Sequence, residues 1–224
     1  MEVAGIQSVA DVNDPQALPG NVKVTREDWL AAAMETLISE GVEQVKVLTI
    51  SDRLGVSRSS FYWYFKSRSH LLELLLAHWE STNTGAITKQ AQAAARNMAG
   101  AVCNVFKCFV DGNVFDPQLD FAVREWSRRD APVRQAVDRA DAARLAAISA
   151  MFERHGIAAK EAEIRAATLY FTQIGYFALG VSQTLEERLA NMAMYVYCMS
   201  GQYPDNDDIE DFRQYSQKLD GGGK

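Results

Sequence analysis

Apolar residues recur at helical spacing along most of the chain, and the breaks between these stretches carry capping chemistry. Thr25-Arg26-Glu27-Asp28 reads as a helix cap with acids in the first turn, followed by Trp29, Ala32, Ala33, Thr36 and Leu37 until Gly41 stops the pattern. Residues 69–80 place Leu71, Leu72, Leu75 and Trp79 on one stripe. From about residue 84 onward helix succeeds helix without alternating strand runs: an alanine-rich segment 86–110 closed by Asp111-Gly112-Asn113, then 117–129 around Leu119, Ala122, Val123 and Trp126. Pro132 sits where an N1 proline belongs and opens a long helix that closes at His155-Gly156. Segments 160–181 and 185–199 complete the set. After them comes an acidic tail (Asp205, Asp207, Asp208, Glu210, Asp211), which the composition predicts to be solvated.

The stretch from Lys46 to Arg68 reads differently, as a helix, a glycine turn and a short helix. Gly55 can take φ > 0 cheaply, Val56 reaches back between two helices, and Ser57 offers an oxygen at the next N-cap. On a helix beginning at Arg58, Phe61 and Phe65 fall on the buried side, whereas Ser59, Ser60 and Trp63 face out. Such a face suits a major groove: hydroxyls meet base edges or phosphates, and Trp63 packs on a sugar or a thymine methyl. Tyr62 and Tyr64 flank it for phosphates, and Arg68, at the start of the next helix, reaches another. Charge agrees locally. The chain is acidic, 23 Lys and Arg against 29 Asp and Glu, yet from Arg53 to Leu72 the four cations Arg53, Arg58, Lys66 and Arg68 meet no acid. Three helices in some fifty residues bury little alone, so this head is expected to lean on the adjoining helical domain.

Two helices near the C-terminus are apolar on more than one side. Ile164, Ala167, Thr168, Phe171, Ile174, Ala178 and Val181 form one stripe, and Leu169, Tyr170, Tyr176 and Leu179 another. A helix with two apolar faces buries both, one in the domain core and one against a second copy of the chain; the alternative is that both faces are core. The expected seam comprises Ile164, Thr168, Phe171, Ile174, Val181, Leu189, Met192 and Val196. At 224 residues, 48% hydrophobic and 5 prolines, the length suits a small head plus one larger helical domain. Residues 1–21, with Asp11, Asn13, Asp14, Pro15, Pro19 and Gly20, lack periodicity and predict an unstructured arm. No signal-peptide pattern and no membrane-length apolar window is present, so a cytoplasmic protein without membrane partner is expected. Cys103, Cys108 and Cys198 lack CxxC spacing, His70, His78 and His155 are scattered, and no glycine-rich phosphate loop occurs. No enzyme, metal or cofactor is implied.

The residues Leu54-Gly55-Val56-Ser57, a basic residue, two small residues and Phe61-Tyr62-Trp63-Tyr64-Phe65 resemble the N-terminal signature of TetR-type transcriptional regulators, over a match of residues 24–79. The resemblance implies an all-α fold, with an N-terminal three-helix helix-turn-helix DNA-binding head (22–80), a C-terminal helical ligand-binding and dimerisation domain (81–203) and the acidic tail (204–224). It places Arg58, Ser59, Ser60, Tyr62, Tyr64 and Lys66 on DNA, with Lys46 opening the first helix of the motif; Thr49, Ser57, Trp63 and Arg68 complete the expected DNA-binding set. Ser59 stands where many members carry glycine and Tyr64 where many carry histidine, which bears on sequence preference. The resemblance further implies a homodimer, through a four-helix seam of the last two helices, on double-stranded palindromic operator DNA, and a repressor released by an unknown small-molecule effector. Candidate pocket residues are Asn104, Cys108, Arg124, Trp126, Tyr170, Gln173 and Tyr176, polar groups embedded in apolar stretches. Control by thiol oxidation or by a protein partner is the alternative.

Overall fold

The computed structural model describes residues 24–181 and 183–221. The expected arm 1–21 lies outside them. The described residues form ten α-helices and no strand: α1 Arg26–Glu40, α2 Val47–Leu54, α3 Arg68–Trp79, α4 Gly85–Gln92, α5 Met98–Val110, α6 Pro117–Ser127, α7 Ala131–Arg154, α8 Ala159–Ala178, α9 Leu185–Ser200 and α10 Asn206–Gly221. Local chemistry explains most boundaries. Thr25 and Asp28 close a reciprocal capping box on α1, and Gly41 ends it at φ 83°. Asp116 and Asp130 cap α6 and α7, each with a proline in the first turn. Thr184 and Glu187 close a second capping box on α9.

Two departures from the sequence pattern are informative. The expected segment 86–110 is two helices, because Asn97 turns extended (φ −147°) and its side chain accepts from the Gly100 amide, starting α5 afresh. α3 and α4, by contrast, form one continuous rod through a π-helical turn, Glu80–Thr84. The acidic tail is α10, a helix packed on α5: Asp208, Phe212 and Ser216 are buried. Asp208 accepts from Asn97 and from Arg96, and its carboxylate approaches Gly100 so closely that an added Cβ there would lie 2.7 Å from Oδ1.

The interior divides into two clusters, and the division does not coincide with the expected domain boundary. One cluster joins Trp29, Leu37, Ile50, Phe61, Phe65, Leu71 and Leu75 of the head to Leu119, Val123 and Trp126 of α6 and to Val133, Val137 and Ala140 of α7. The other holds α4, α5, α8, α9 and the second half of α7. The head therefore completes its core with α6 and the N-terminal half of α7, as its small size requires.

Candidate nucleic-acid interface

The head presents its helix-turn-helix with the polarity expected from the residues. Gly55 takes the left-handed conformation, φ 66°, and its amide reaches the Asp52 and Ser51 carbonyls; the Val56 amide bonds Ser51 at 3.0 Å. The element after the turn is a 3₁₀ helix, Arg58–Trp63, rather than a longer α-helix. Ser57 occupies the N-cap position, but its hydroxyl meets Ser59 Oγ at 2.8 Å and caps no amide. Phe61 and Phe65 stack at 5.0 Å between centroids, with Trp29 edge-on to Phe61. With those rings fixed inward, Trp63 and Tyr62 are left 80% and 63% exposed. An indole so exposed contributes little to this fold.

Lys46, Arg58, Ser59 and Lys66 are also exposed, Thr49 is half-buried on α2, and Ser60 Oγ donates to the Ser57 carbonyl at 2.7 Å. Three side chains assigned to DNA or to the basic island on sequence grounds have partners inside the head. Tyr64 donates its hydroxyl to the Val24 carbonyl at 2.9 Å. Arg68 donates from Nε to Val45 and from Nη2 to Val42, each at 2.6 Å, tying the start of α3 to the turn before α2. Arg53 pairs with Glu40 at 2.5 Å and with Glu35 at 3.5 Å. The local run free of acids is thus partly neutralised by carboxylates of α1, and among the described residues the cations of that run left without a partner inside the head are Arg58 and Lys66.

The seven candidate pocket residues do not converge. Asn104 donates to the Ala94 carbonyl near the surface, Cys108 is core, and Trp126 packs in the head cluster with Nε1 on Asp130 at 3.2 Å. Arg124 and Tyr170 belong to a buried polar network with Asp120, Asp141 and Arg144. Only Gln173 and Tyr176 line a common cavity. Phe106, Phe109, Arg188 and Phe212 line the same space and lie outside the set that the sequence pattern suggests. Arg188 carried a signal, since it lies four residues before Met192 on the inward stripe of α9, an unusual register for a cation.

The expected seam also splits. Ile164, Thr168, Phe171 and Val181 are exposed, and Ile174 and Leu189 lean on the core. Met192 and Val196 are fully inside the protomer, because α9 turns that stripe onto α5. Its outward face carries Met194, Tyr195, Tyr197 and Cys198 instead. Among the described residues no helix is long and apolar enough to cross a membrane, and no cluster of metal-ligating side chains occurs.

The described residues thus form an all-helical protein whose helix-turn-helix head shares its core with α6 and the N-terminal half of α7. Residues 30–75 match the family model described as bacterial regulatory proteins, tetR family. It is 28% identical over 100 residues, 44% of this chain and 46% of the relative, to the nucleoid occlusion factor SlmA of Haemophilus influenzae. The chain thus spans about half the length of that relative. It is 33% identical over 55 residues, 25% of this chain and 41% of the relative, to the uncharacterized HTH-type transcriptional regulator TtgW of Pseudomonas putida. Over 91% of this chain and 98% of the other, the fold matches AmtR of Mycobacterium smegmatis with a TM-score of 0.57 at 17% identity.

Proposed function

We propose that the protein is a dimeric repressor that binds a two-fold-symmetric operator through its two heads and is released when a small molecule enters the helical domain. The observation that carries this reading is the exposed Trp63, with Tyr62, Arg58 and Lys66 exposed near it in the chain. Ile164 and Phe171 on α8 and Leu179 at its C-cap add support for the dimer: the last two are 60% and 81% exposed. Thiol control has less behind it, since burial pushes the Cys103 and Cys108 thiols up to about 12, away from the reactive thiolate.

The test is selection of bound duplexes from a random pool, then anisotropy titration. Enrichment of an inverted repeat with half-sites centred about 34 Å apart or a multiple of it is expected. Absence of any enriched sequence would overturn the reading.

A further inference from the structure

A cavity of about 350 Å³ lies among α5, the C-terminal half of α8, α9 and α10, walled by Phe106, Phe109, Tyr176, Met192 and Phe212. Its polar lining is Thr172, Gln173, Gln183, Arg188 and the hydroxyl-bearing Tyr176 and Tyr195, and among the described residues no carboxylate lines it. Arg188 is half-buried, its guanidinium 5.3 Å over the Tyr176 ring and its Nη1 3.5 Å from the Phe109 carbonyl. Among the described residues it makes no ion pair. A guanidinium carries five N–H donors in a planar fork, and the single bond to Phe109 leaves most of those of Arg188 open to a group that enters the cavity.

Gly175 is the second observation. It stands within the 20-residue α8, where glycine costs about 0.5–1 kcal/mol relative to alanine, yet a Cβ added there would meet nothing within 4 Å. No close approach within the protomer requires it. What the missing side chain leaves is free volume at the cavity wall.

We propose that this cavity binds an apolar monocarboxylate, the carboxylate paired with both arms of the Arg188 fork and the hydrocarbon body lying beside Gly175 among the aromatic rings. The site rests on the reading that a small molecule controls this protein and names that molecule's chemistry. Arginine matches a carboxylate bidentately, which fixes orientation as well as charge, and the neutral amides of Gln173 and Gln183 can bond a carboxylate without repelling it.

The experiment is calorimetric titration of the full chain with 2-naphthoate and decanoate, and with 2-naphthamide and decanol as their neutral counterparts. At least one carboxylate is expected to bind about 10- to 100-fold more tightly than its counterpart. Preference for naphthoate would assign an aryl acid, preference for decanoate an alkyl acid. R188Q is expected to erase the preference and R188K to keep part of it; G175L, which fills the space, is expected to abolish binding with helical content retained. Failure of both carboxylates to bind, or equal affinity for acid and neutral counterpart, overturns the site, and both results stand even if an Arg188 variant does not fold. Anisotropy on operator DNA separates the two readings: a carboxylate that binds through Arg188 but leaves DNA affinity unchanged keeps the site and overturns ligand control.

Discussion

Arg144 of α7 and Asp120 of α6 meet at 2.9 Å, with neither side chain reaching water. Around them the network spans the molecule. Trp79 at the end of α3 donates from Nε1 to Asp120 at 2.8 Å, and Arg144 also lies over the Trp79 ring at 5.2 Å. Arg144 donates to Thr84 in the π-helical turn and to Tyr170 of α8, whose hydroxyl donates to Asp141 at 2.7 Å. The last helix of the head and the middle of α8 are therefore bonded through one buried pair. Breaking a buried pair by removing one partner is strongly destabilising, because the other charge is left in low dielectric.

Arg144→Met should accordingly lower stability by about 3 kcal/mol, even with Arg124 still beside Asp120, and reduce the thermal midpoint by roughly 6–12 °C. Calorimetric unfolding of the variant checks this; a midpoint within a degree or two of the parent would mean that the pair only breaks even against a hydrophobic replacement.

The same aspartate sets an acid limit. Burial pushes the Asp120 carboxyl up, but the charges of Arg144 and Arg124 outweigh it and hold the carboxyl below its ordinary value. A carboxyl depressed in the folded state contributes stability above its unfolded value, about 3.9, and loses it as pH falls through the lower native value. Stability should thus drop below about pH 4 partly through this group, and Asp120→Asn should flatten that part of the profile while lowering the plateau. A parent and variant with parallel acid limbs would exclude Asp120 as a contributor.

Salt dependence separates the cations. Each phosphate neutralised adds about −0.9 to the slope of log K against log salt, so Arg58→Ala and Lys66→Ala should each lessen the slope by about that amount per protomer. Arg53→Ala and Arg68→Ala, whose side chains are held by α1 carboxylates and by backbone carbonyls, should lower thermal stability and leave the slope nearly unchanged. The opposite pattern would move the DNA face elsewhere on the head.

For the dimer, Phe171→Glu and Leu179→Glu put charges on exposed apolar positions and should give folded monomers by light scattering. Val196→Glu, a charge in the protomer core, should unfold the chain instead. Folded dimers from both surface variants would show that α8 is not the seam.

Gly100→Ala tests the docking of α10. The alanine gains about 0.8–1 kcal/mol of helix propensity but drives Cβ into the buried Asp208 carboxylate, a misfit that costs about 1–3 kcal/mol. Faster amide exchange across 206–221 is expected, and unchanged protection there would mean the carboxylate yields without loss.

The residues themselves determined the helix-turn-helix. A glycine at the turn, two phenylalanines one helical turn apart and a tryptophan on the opposite side settle which face is core through local geometry alone, and capping side chains set most helix starts within a few residues. What they left open was the partner of each group. Tyr64, Arg68 and Arg53 are claimed by atoms 40, 23 and 13 positions away, a pairing that no local period encodes. The stripe of Met192 and Val196 was legible as apolar, yet only packing decided that α5 rather than a second chain covers it. Likewise an acidic, sparsely apolar segment reads as solvated until Asn97 and Arg96 receive Asp208 and make α10 part of the body. Periodicity reports that a face must be buried or a charge compensated; the tertiary structure selects against what, because that choice is made by long-range geometry.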